Sequence, residues 1–303
     1  MKKIIVTVLV ISTVVFSCQK EMDESSLLTP PVNNLLDSSY LDTMYEIDSI
    51  SGVKDTITRW IYEYDNLKRV VTLTEFYYFN GTNEGKDFFK YFYTGNDSLP
   101  FKLLNYNYNF INNTWVRGDS SLSLYYYDAQ GRNIKDSLTT FNLNGAPSQS
   151  IVRRYEYACQ NIYMEELSYF TLSSTGVITR RDSAVLDLNG NIRFSKKYEV
   201  DPNNVSTLEF TSEFTYDNKP SPFKKLSNFR TLVVTPFGET FFYEMQGANN
   251  RLRANEIQAF TGFSYTEDLT GKYSYLPNGY PGRIVDTYAP DSSFIVSFEY
   301  RSL

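Results

Sequence analysis

The segment from Leu122 to Leu138, LSLYYYDAQGRNIKDSL, decides the fold class of this chain. An aromatic-rich run ends at Tyr127-Asp128, a turn follows at Gln130-Gly131, and a second run begins at Arg132. Glycine readily adopts the positive φ angle that such a turn needs. The Asp128 side chain can accept a hydrogen bond from the backbone N–H group two residues later in the chain. The segment therefore predicts a β-hairpin.

The same hairpin pattern recurs along the chain. Five steps from Tyr64 to Tyr216 cover 152 positions, and a spacing of about 30 residues is typical of repeat architectures. The residues that close the first strand of each unit are Tyr64, Tyr93, Tyr127, Tyr157, Leu186, Tyr216, Tyr243 and Tyr275. Each period therefore predicts one hairpin and its connection.

Three stretches of the chain alternate apolar and polar residues, which predicts strands with one buried face and one solvated face. They are residues 103–110, 207–216 and 293–300. In the first, Leu104, Tyr106, Tyr108 and Phe110 alternate with Asn105, Asn107 and Asn109. The apolar set is expected to face the core.

We expect an all-β fold, a large antiparallel meander of about eight β-hairpin repeats. An open sheet of that width would expose a large aromatic face, so the sheet should be strongly coiled or rolled into a barrel-like shell. Residues 45–303 should form a single domain. One short helical insert, or else a capped loop over the rim or interior of the sheet, is predicted from Pro220 to Phe229, where Phe223, Leu226 and Phe229 have helical spacing.

The composition limits the possible functions. The chain has 29 Lys+Arg against 35 Asp+Glu without a basic run, which argues against nucleic acid as a partner because phosphate binding needs clustered cations. Histidine is absent, which excludes Ser-His and Cys-His nucleophile systems and His-based zinc sites. No cofactor is predicted.

The N-terminus is typical of an export signal. Lys2 and Lys3 precede the apolar run from Ile4 to Phe16, which is short for a membrane span of about 20 residues. Residues 1–17 are therefore predicted to be a signal peptide. The following motif, VFSC at 15–18, resembles a bacterial lipobox, which implies cleavage before Cys18 and lipid attachment to it. The alternative is an ordinary secretory signal with an incidental cysteine.

Residues 18–44 are predicted to hold the lipidated cysteine and a flexible tether, because SSLLTPPVNNLLDSSY at 25–40 has paired prolines and no sustained periodicity. The stretch QKEMDE at 19–24 resembles the sorting signal that directs Bacteroidota-type lipoproteins to the outer face of the outer membrane. This resemblance implies a lipid-anchored protein exposed at the cell surface, although a solvated linker would have a similar composition.

The repeated turns resemble YD repeats, the Tyr-Asp-x-x-Gly-Arg-[Ile/Leu] hairpins of Rhs-type proteins and of uncharacterised Bacteroidota lipoproteins. The best copy is Tyr127 to Arg132 followed by Ile134, whereas the copy at Tyr64 lacks the glycine and the copy at Tyr157 lacks the aspartate. The resemblance implies a hairpin-repeat architecture and no particular activity.

Candidate binding residues are aromatic. Trp60, Tyr62 and Tyr64 share one strand face, and Trp115 is expected in the turn at 112–118; flat aromatic rings of this kind bind sugars or lipids, although core packing explains the same pattern. Glu165 and Glu166 are adjacent, so their side chains should point to opposite faces of a strand and cannot act together in catalysis.

We therefore expect a non-enzymatic binding or scaffold lipoprotein whose partner is a glycan, a peptide or another envelope protein. An alternative is a carrier that holds an apolar ligand or lipid in an aromatic-lined roll. A glycosidase-type enzyme is the third possibility, and it would need two carboxylates that converge in a cleft.

Overall fold

Within the residues that the structure describes, the β-forming runs between the polar turns become strands. The computed structural model describes residues 39–170, 175–226, 248–289 and 292–303. The signal peptide at 1–17, Cys18, most of the predicted tether, the repeat at Tyr243 and the end of the predicted helix at Phe229 lie outside these residues. The strands are β1 Ser39–Ile50, β2 Val53–Tyr64, β3 Val70–Phe79, β4 Thr82–Phe92, β5 Lys102–Ile111, β6 Thr114–Tyr127, β7 Asn133–Phe141, β8 Pro147–Ala158, β9 Asn161–Phe170, β10 Val177–Leu186, β11 Ile192–Val200, β12 Ser206–Pro220, β13 Asn249–Gln258, β14 Ser264–Asp268, β15 Tyr273–Tyr275, β16 Pro281–Ala289 and β17 Ser292–Ser302.

The strands form one antiparallel meander. Each strand from β1 to β13 pairs with the next one, and β15, β16 and β17 form a second consecutive run. The last strand, β17, pairs along its length with β1, so the sheet rolls back on itself. No pairing joins β14 to β15 in the described chain, and the roll is not closed there. The predicted all-β rolled meander is confirmed.

The ordered ladder begins earlier than the sequence suggests. Residues 39–44, which the tether prediction includes, belong to β1, which is paired with β2 on one side and β17 on the other. These residues are held because Leu41 and Met44 are 1% and 0% exposed in the core. Residues 39–44 are therefore part of the sheet and not of the tether to which the sequence assigned them.

The predicted helix is wrong for the residues that the structure describes, among which there is no helix. Strand β12 continues to Pro220, and a short turn follows, in which Lys224 N–H donates to Ser221 O at 3.1 Å and Leu226 N–H donates to Phe223 O at 2.9 Å. Phe223 and Leu226 are both buried in the main core, as their spacing suggested. Accordingly, no described segment is a helix long and apolar enough to cross a membrane.

The tyrosines that close the hairpins make one repeated contact. Each hydroxyl donates a hydrogen bond to a backbone carbonyl 19 to 27 residues earlier, near the start of the preceding strand or, for Tyr273, of β13. Examples are Tyr127 to Pro100 O at 2.8 Å and Tyr157 to Asn133 O at 2.9 Å. The full set is Tyr64, Tyr93, Tyr127, Tyr157, Tyr216, Tyr273 and Tyr300. Tyr273 takes this role instead of the predicted Tyr275, whose hydroxyl bonds Asp217.

The aspartate of the turn fixes the turn itself. Asp128 Oδ1 accepts the N–H groups of Gln130 and Arg132 at 3.0 and 2.9 Å, and Asp128 Oδ2 accepts Arg132 Nε at 2.7 Å. Gly131 has a φ angle of 74°, as the motif requires. These contacts are local in sequence, which explains why the hairpin can be read from the residues alone.

The core lies on one face of the sheet, which we call the inner face. The main cluster includes Leu41, Trp60, Leu103, Val296 and Phe298, and a smaller cluster surrounds Tyr155 and Met164. In β17 the inner residues are Phe294, Val296, Phe298 and Tyr300, as predicted. The opposite side of the sheet is the outer face.

The prediction for β5 is wrong about which face is buried. Leu103 lies in the core opposite Tyr91, so the same face carries Asn105 and Asn107, while Tyr106 and Tyr108 lie on the outer face. The cause is the pairing with β4, since Asp87 stands opposite Asn107 and accepts its Nδ2–H at 2.9 Å. The aromatic residues of this strand are therefore partly exposed.

Candidate functional site

Three of the four predicted ligand-binding residues are core residues. Trp60 and Tyr62 are 2% and 0% exposed, and the Tyr64 hydroxyl donates to Leu41 O at 2.6 Å. Burial raises the pKa of Tyr62 and Tyr64 well above the usual tyrosine value. A ligand could reach these rings only if the core opened.

Trp115 occupies a different environment. It lies in β6 just after the turn at Asn112 and Asn113, which have φ angles of 50° and 60°. Its ring is on the outer face, 4.9 Å from the ring centre of Phe110 and 6.3 Å from that of Phe76. We define the aromatic patch as Phe76, Tyr108, Phe110 and Trp115 together with the cations Lys86 and Arg117. Trp115 is partly exposed and accessible from outside.

Two cations lie over the aromatic patch. Lys86 Nζ is 4.5 Å from the centre of the Trp115 ring and 5.1 Å from that of Tyr108. Arg117 stands opposite Tyr108 in the ladder and lies 4.5 Å from the Tyr106 ring centre. Cation–π contacts of this kind hold the charged groups against the rings at the surface.

A second feature of the outer face is a cavity of about 680 Å³ over β8 to β12. The strand register aligns its lining in a row, because Arg154 stands opposite Glu165, Glu165 opposite Arg181, and Arg181 opposite Tyr198. Tyr163 lies in the next row and is 47% exposed. We call this cavity the outer groove.

The two arginines of the outer groove differ: Arg181 is held by three partners, whereas Arg154 is exposed to solvent. Arg181 Nε contacts Glu165 Oε2 at 3.2 Å, and its two terminal nitrogens donate to Asn204 Oδ1 at 2.8 Å and Ser206 Oγ at 3.1 Å. Arg154, by contrast, is exposed at the cavity wall. The outer groove thus combines a pre-organised polar floor with accessible aromatic and charged groups, which is the usual composition of a small-ligand site.

The sequence signalled only part of the outer groove. Glu165 was singled out as one of an acidic pair, and the structure confirms that Glu165 and Glu166 point to opposite faces. Glu165 contacts Arg181 on the outer face, while Glu166 accepts Arg153 Nε at 2.9 Å on the inner face. The partners were missed because they lie on other strands, and only the register brings them together.

The inner face carries a buried polar network that the sequence did not indicate. The Tyr77 hydroxyl donates to Asp87 Oδ2 at 2.8 Å and is also hydrogen-bonded to Glu75, which in turn is hydrogen-bonded to Trp60. Burial raises the pKa of Glu75 to about 7, assisted by the negative charges of Asp87 and Glu46 and opposed by the hydrogen bonds from Tyr77 and Trp60.

A second inner network crosses β7 to β9. Arg153 bridges Asp136 and Glu166, and the Tyr155 hydroxyl donates to Asp136 Oδ2 at 2.6 Å. Both inner networks hold their carboxylates with donors of the protein itself, so they stabilise the roll. Within the described ranges, no three acidic, histidine or cysteine side chains are grouped so that they could hold a metal ion.

Comparisons with known proteins are distant. No protein-family model matches the chain, and no curated protein matches it. Among solved structures, it is similar to a porin-like protein from Bacteroides vulgatus (11% identity over 88% of this chain and 100% of that chain, TM-score 0.44) and to one from Bacteroides uniformis (12% identity, 86% and 96%, TM-score 0.44). It is also similar to a Bacteroides fragilis protein with unknown function (10% identity, 51% and 89%, TM-score 0.24). The fold assignment therefore rests on the strand pairing of this chain.

Proposed function

We propose that the protein is an envelope lipoprotein of the YD-repeat type that acts as a non-enzymatic glycan-binding module. The outer groove carries the binding part of the proposal. It offers the rings of Tyr163 and Tyr198 beside Arg154 and Glu156, all reachable from solvent. Sugars stack their C–H faces on tyrosine rings and exchange hydrogen bonds with guanidinium and carboxylate groups, so this donor set suits an uncharged saccharide.

The binding test uses the chain from Gln19 onward, which retains every described strand. We expect it to bind glycans on an array, with at least about tenfold weaker binding for Tyr163→Ala and for Arg154→Ala, since each removes one wall of the groove. Tyr106→Ala is the matched control because Tyr106 is a partly exposed outer-face tyrosine of β5, three strands away from β8, the first strand of the groove. Equal loss in the control, or no glycan bound by the parent chain, would contradict the proposal.

The membrane part of the proposal rests on Lys2, Lys3, the apolar run and Cys18 in the sequence. Mass spectrometry of protein purified from its own membranes is expected to show an N-terminal Cys18 carrying acyl chains, and Cys18→Ser should abolish membrane retention. The chain has one other cysteine, Cys159, so recovery of a disulfide between the two would rule out the anchor.

The proposed outer-membrane location and surface exposure are supported by the resemblance of residues 19–24 to a sorting signal. Protease added to intact cells should remove the protein, whereas it should be protected when Lys20 through Glu24 are replaced by neutral residues. Protection of the unaltered protein would place it inside the envelope instead.

The carrier and enzyme hypotheses have weaker support. A carrier needs open space beside inner aromatic rings, yet Trp60, Tyr62 and Tyr91 pack against one another in the core at 3% exposure or less. A glycosidase needs free carboxylates, and Glu75 and Asp87 are held by Tyr77, Trp60 and Asn107. Lipid extracted from the purified chain, or turnover on a panel of glycosidase substrates, would favour these alternatives over the binding module.

A further inference from the structure

Two neighbouring hairpins expose apolar side chains at their tips. Phe79 ends β3 and is 62% exposed, and Ile111 ends β5 and is 50% exposed. Because β4 pairs with β5 in register up to Gly85 and Asn109, the two tips lie side by side at the same end of the roll. Hairpin turns are usually polar, so two adjacent apolar tips call for an apolar partner.

The residues behind the tips are ordered along the strand axis. Phe110 and Trp115 form the cross-strand pair next to the β5–β6 turn, and Tyr108 and Arg117 form the pair behind them. Two residues of strand cover about 7 Å, so the aromatic rings lie just behind the apolar tips and the cations lie one step further back. Lys86 joins the second level, opposite Tyr108.

The order of side chains along the strands, apolar then aromatic then cationic, matches the order of chemical groups from the interior of a bilayer to its surface. Acyl chains accept exposed apolar groups, Trp and Tyr rings favour the headgroup boundary, and Lys and Arg contact lipid phosphates. Lys86 and Arg117 are the charged members of the aromatic patch and would contact lipid phosphates, while the exposed carboxylates of Glu84 and Asp119 lie on the same two strands. A protein partner would need a matching pocket for each tip, whereas a bilayer accommodates several tips without one.

The proposed anchor does not prevent this contact. Strand β1 begins at Ser39 and ends at Ile50, and Ile50 lies at the end of the roll that carries the tips. Ser39 therefore lies at the opposite end of the roll. Twelve residues of strand span about 40 Å, whereas the 21 residues from Cys18 to Ser39 reach about 70 Å when fully extended. The tether is long enough for the tips to meet the bilayer that holds the lipid.

We propose that the β3–β4 and β5–β6 hairpin tips, with Trp115, Lys86 and Arg117, form a docking surface for an anionic lipid bilayer. The choice of a bilayer rests on the proposed envelope location. The test nevertheless omits the anchor, so that failure of lipidation at Cys18 and failure of the docking surface are separate results.

The chain from Gln19 onward is mixed with vesicles of phosphatidylcholine alone or with about 30% phosphatidylglycerol. We expect sedimentation with the anionic vesicles and a blue shift of tryptophan emission, which reports Trp115 because Trp60 is already buried. Phe79→Ser with Ile111→Ser should weaken partitioning about tenfold, and Lys86→Gln with Arg117→Gln should abolish the preference for anionic vesicles.

The matched control is Leu67→Ser with Leu188→Ser, which removes two exposed apolar residues, 51% and 79% accessible, from the turns at the opposite end. Unchanged melting temperatures establish that every variant is folded. The proposal is overturned if the parent chain binds neither vesicle, if it binds both equally, or if the control weakens partitioning as much as the tip variant.

Discussion

Glu75 should make the stability of the protein depend on pH. This carboxyl lies on the inner face beside Trp60, Tyr77 and Asp87, and burial raises its pKa to about 7 from 4.5. Because the folded state holds the proton more tightly than the unfolded chain, folding is favoured below about pH 4.5 and loses this contribution as the pH rises through 7. Above about pH 8 no further loss is expected.

The magnitude follows from the difference between the two pKa values. A rise of about 2.5 in the pKa corresponds to about 3 kcal/mol of unfolding free energy between pH 4.5 and pH 8. Glu75→Gln keeps the shape of the side chain and an oxygen that can accept from Tyr77 and Trp60, but carries no charge at any pH. The variant should therefore match the parent at pH 4.5 and exceed it by about 3 kcal/mol at pH 8.

Urea unfolding followed by tryptophan fluorescence, from pH 4.5 to 8.5, measures this difference. Asp182 contributes in the same direction, since burial raises its pKa to about 7 as well, so the informative quantity is the gap between variant and parent. Glu84→Gln, at an exposed position of β4, is the control and should leave the curve of the parent unchanged. Parallel curves for Glu75→Gln and the parent would refute the assignment.

Three further substitutions probe the repeat and the inner networks. Tyr127→Phe removes one hydroxyl–carbonyl bond and should lower the unfolding free energy by about 1 kcal/mol, measured in urea, while Tyr126→Phe should have no effect. Gly131→Ala forces a side chain into a φ of 74° and should cost about 1 kcal/mol; an unchanged melting temperature would contradict this. Arg153→Gln leaves the buried Asp136 without its cation and should cost about 3 kcal/mol at pH 7, an effect that would be absent if the ion pair were solvated.

The hairpins and the all-β class could be predicted because their determinants are local. Asp128 bonds atoms two and four residues ahead of it, and the requirement for a positive φ at Gly131 acts within the same turn. Alternation in β17 was also sufficient, because Val296 and Phe298 are buried in the main core even though Glu46 stands opposite Val296 in the ladder. These features are determined by residues close together in the sequence, so they can be predicted from it.

The candidate sites could not be predicted in the same way, because they depend on the register between strands. Arg154 and Arg181 meet Glu165 only through two ladders, and nothing in residues 161–170 states which residues will stand opposite. The helix predicted from Pro220 was wrong for a different reason. The spacing of Phe223 and Leu226 reflects burial of a turn in the core, and the same spacing also fits a helix.

The error in β5 connects the fold to the proposed function. Tyr106, Tyr108 and Phe110 would have been buried if apolar burial alone chose the face, but Asn107 takes the inner side, where it bonds Asp87, and Asn105 follows onto the same face. An unpaired buried carboxylate costs more than exposing part of an aromatic ring, so the polar network wins. Two of the rings left outside, Tyr108 and Phe110, belong to the aromatic patch around Trp115. The bond between Asn107 and Asp87 on the inner face thus accounts physically for the aromatic rings on the outer face near the tips, where the surface proposed to dock on lipid lies.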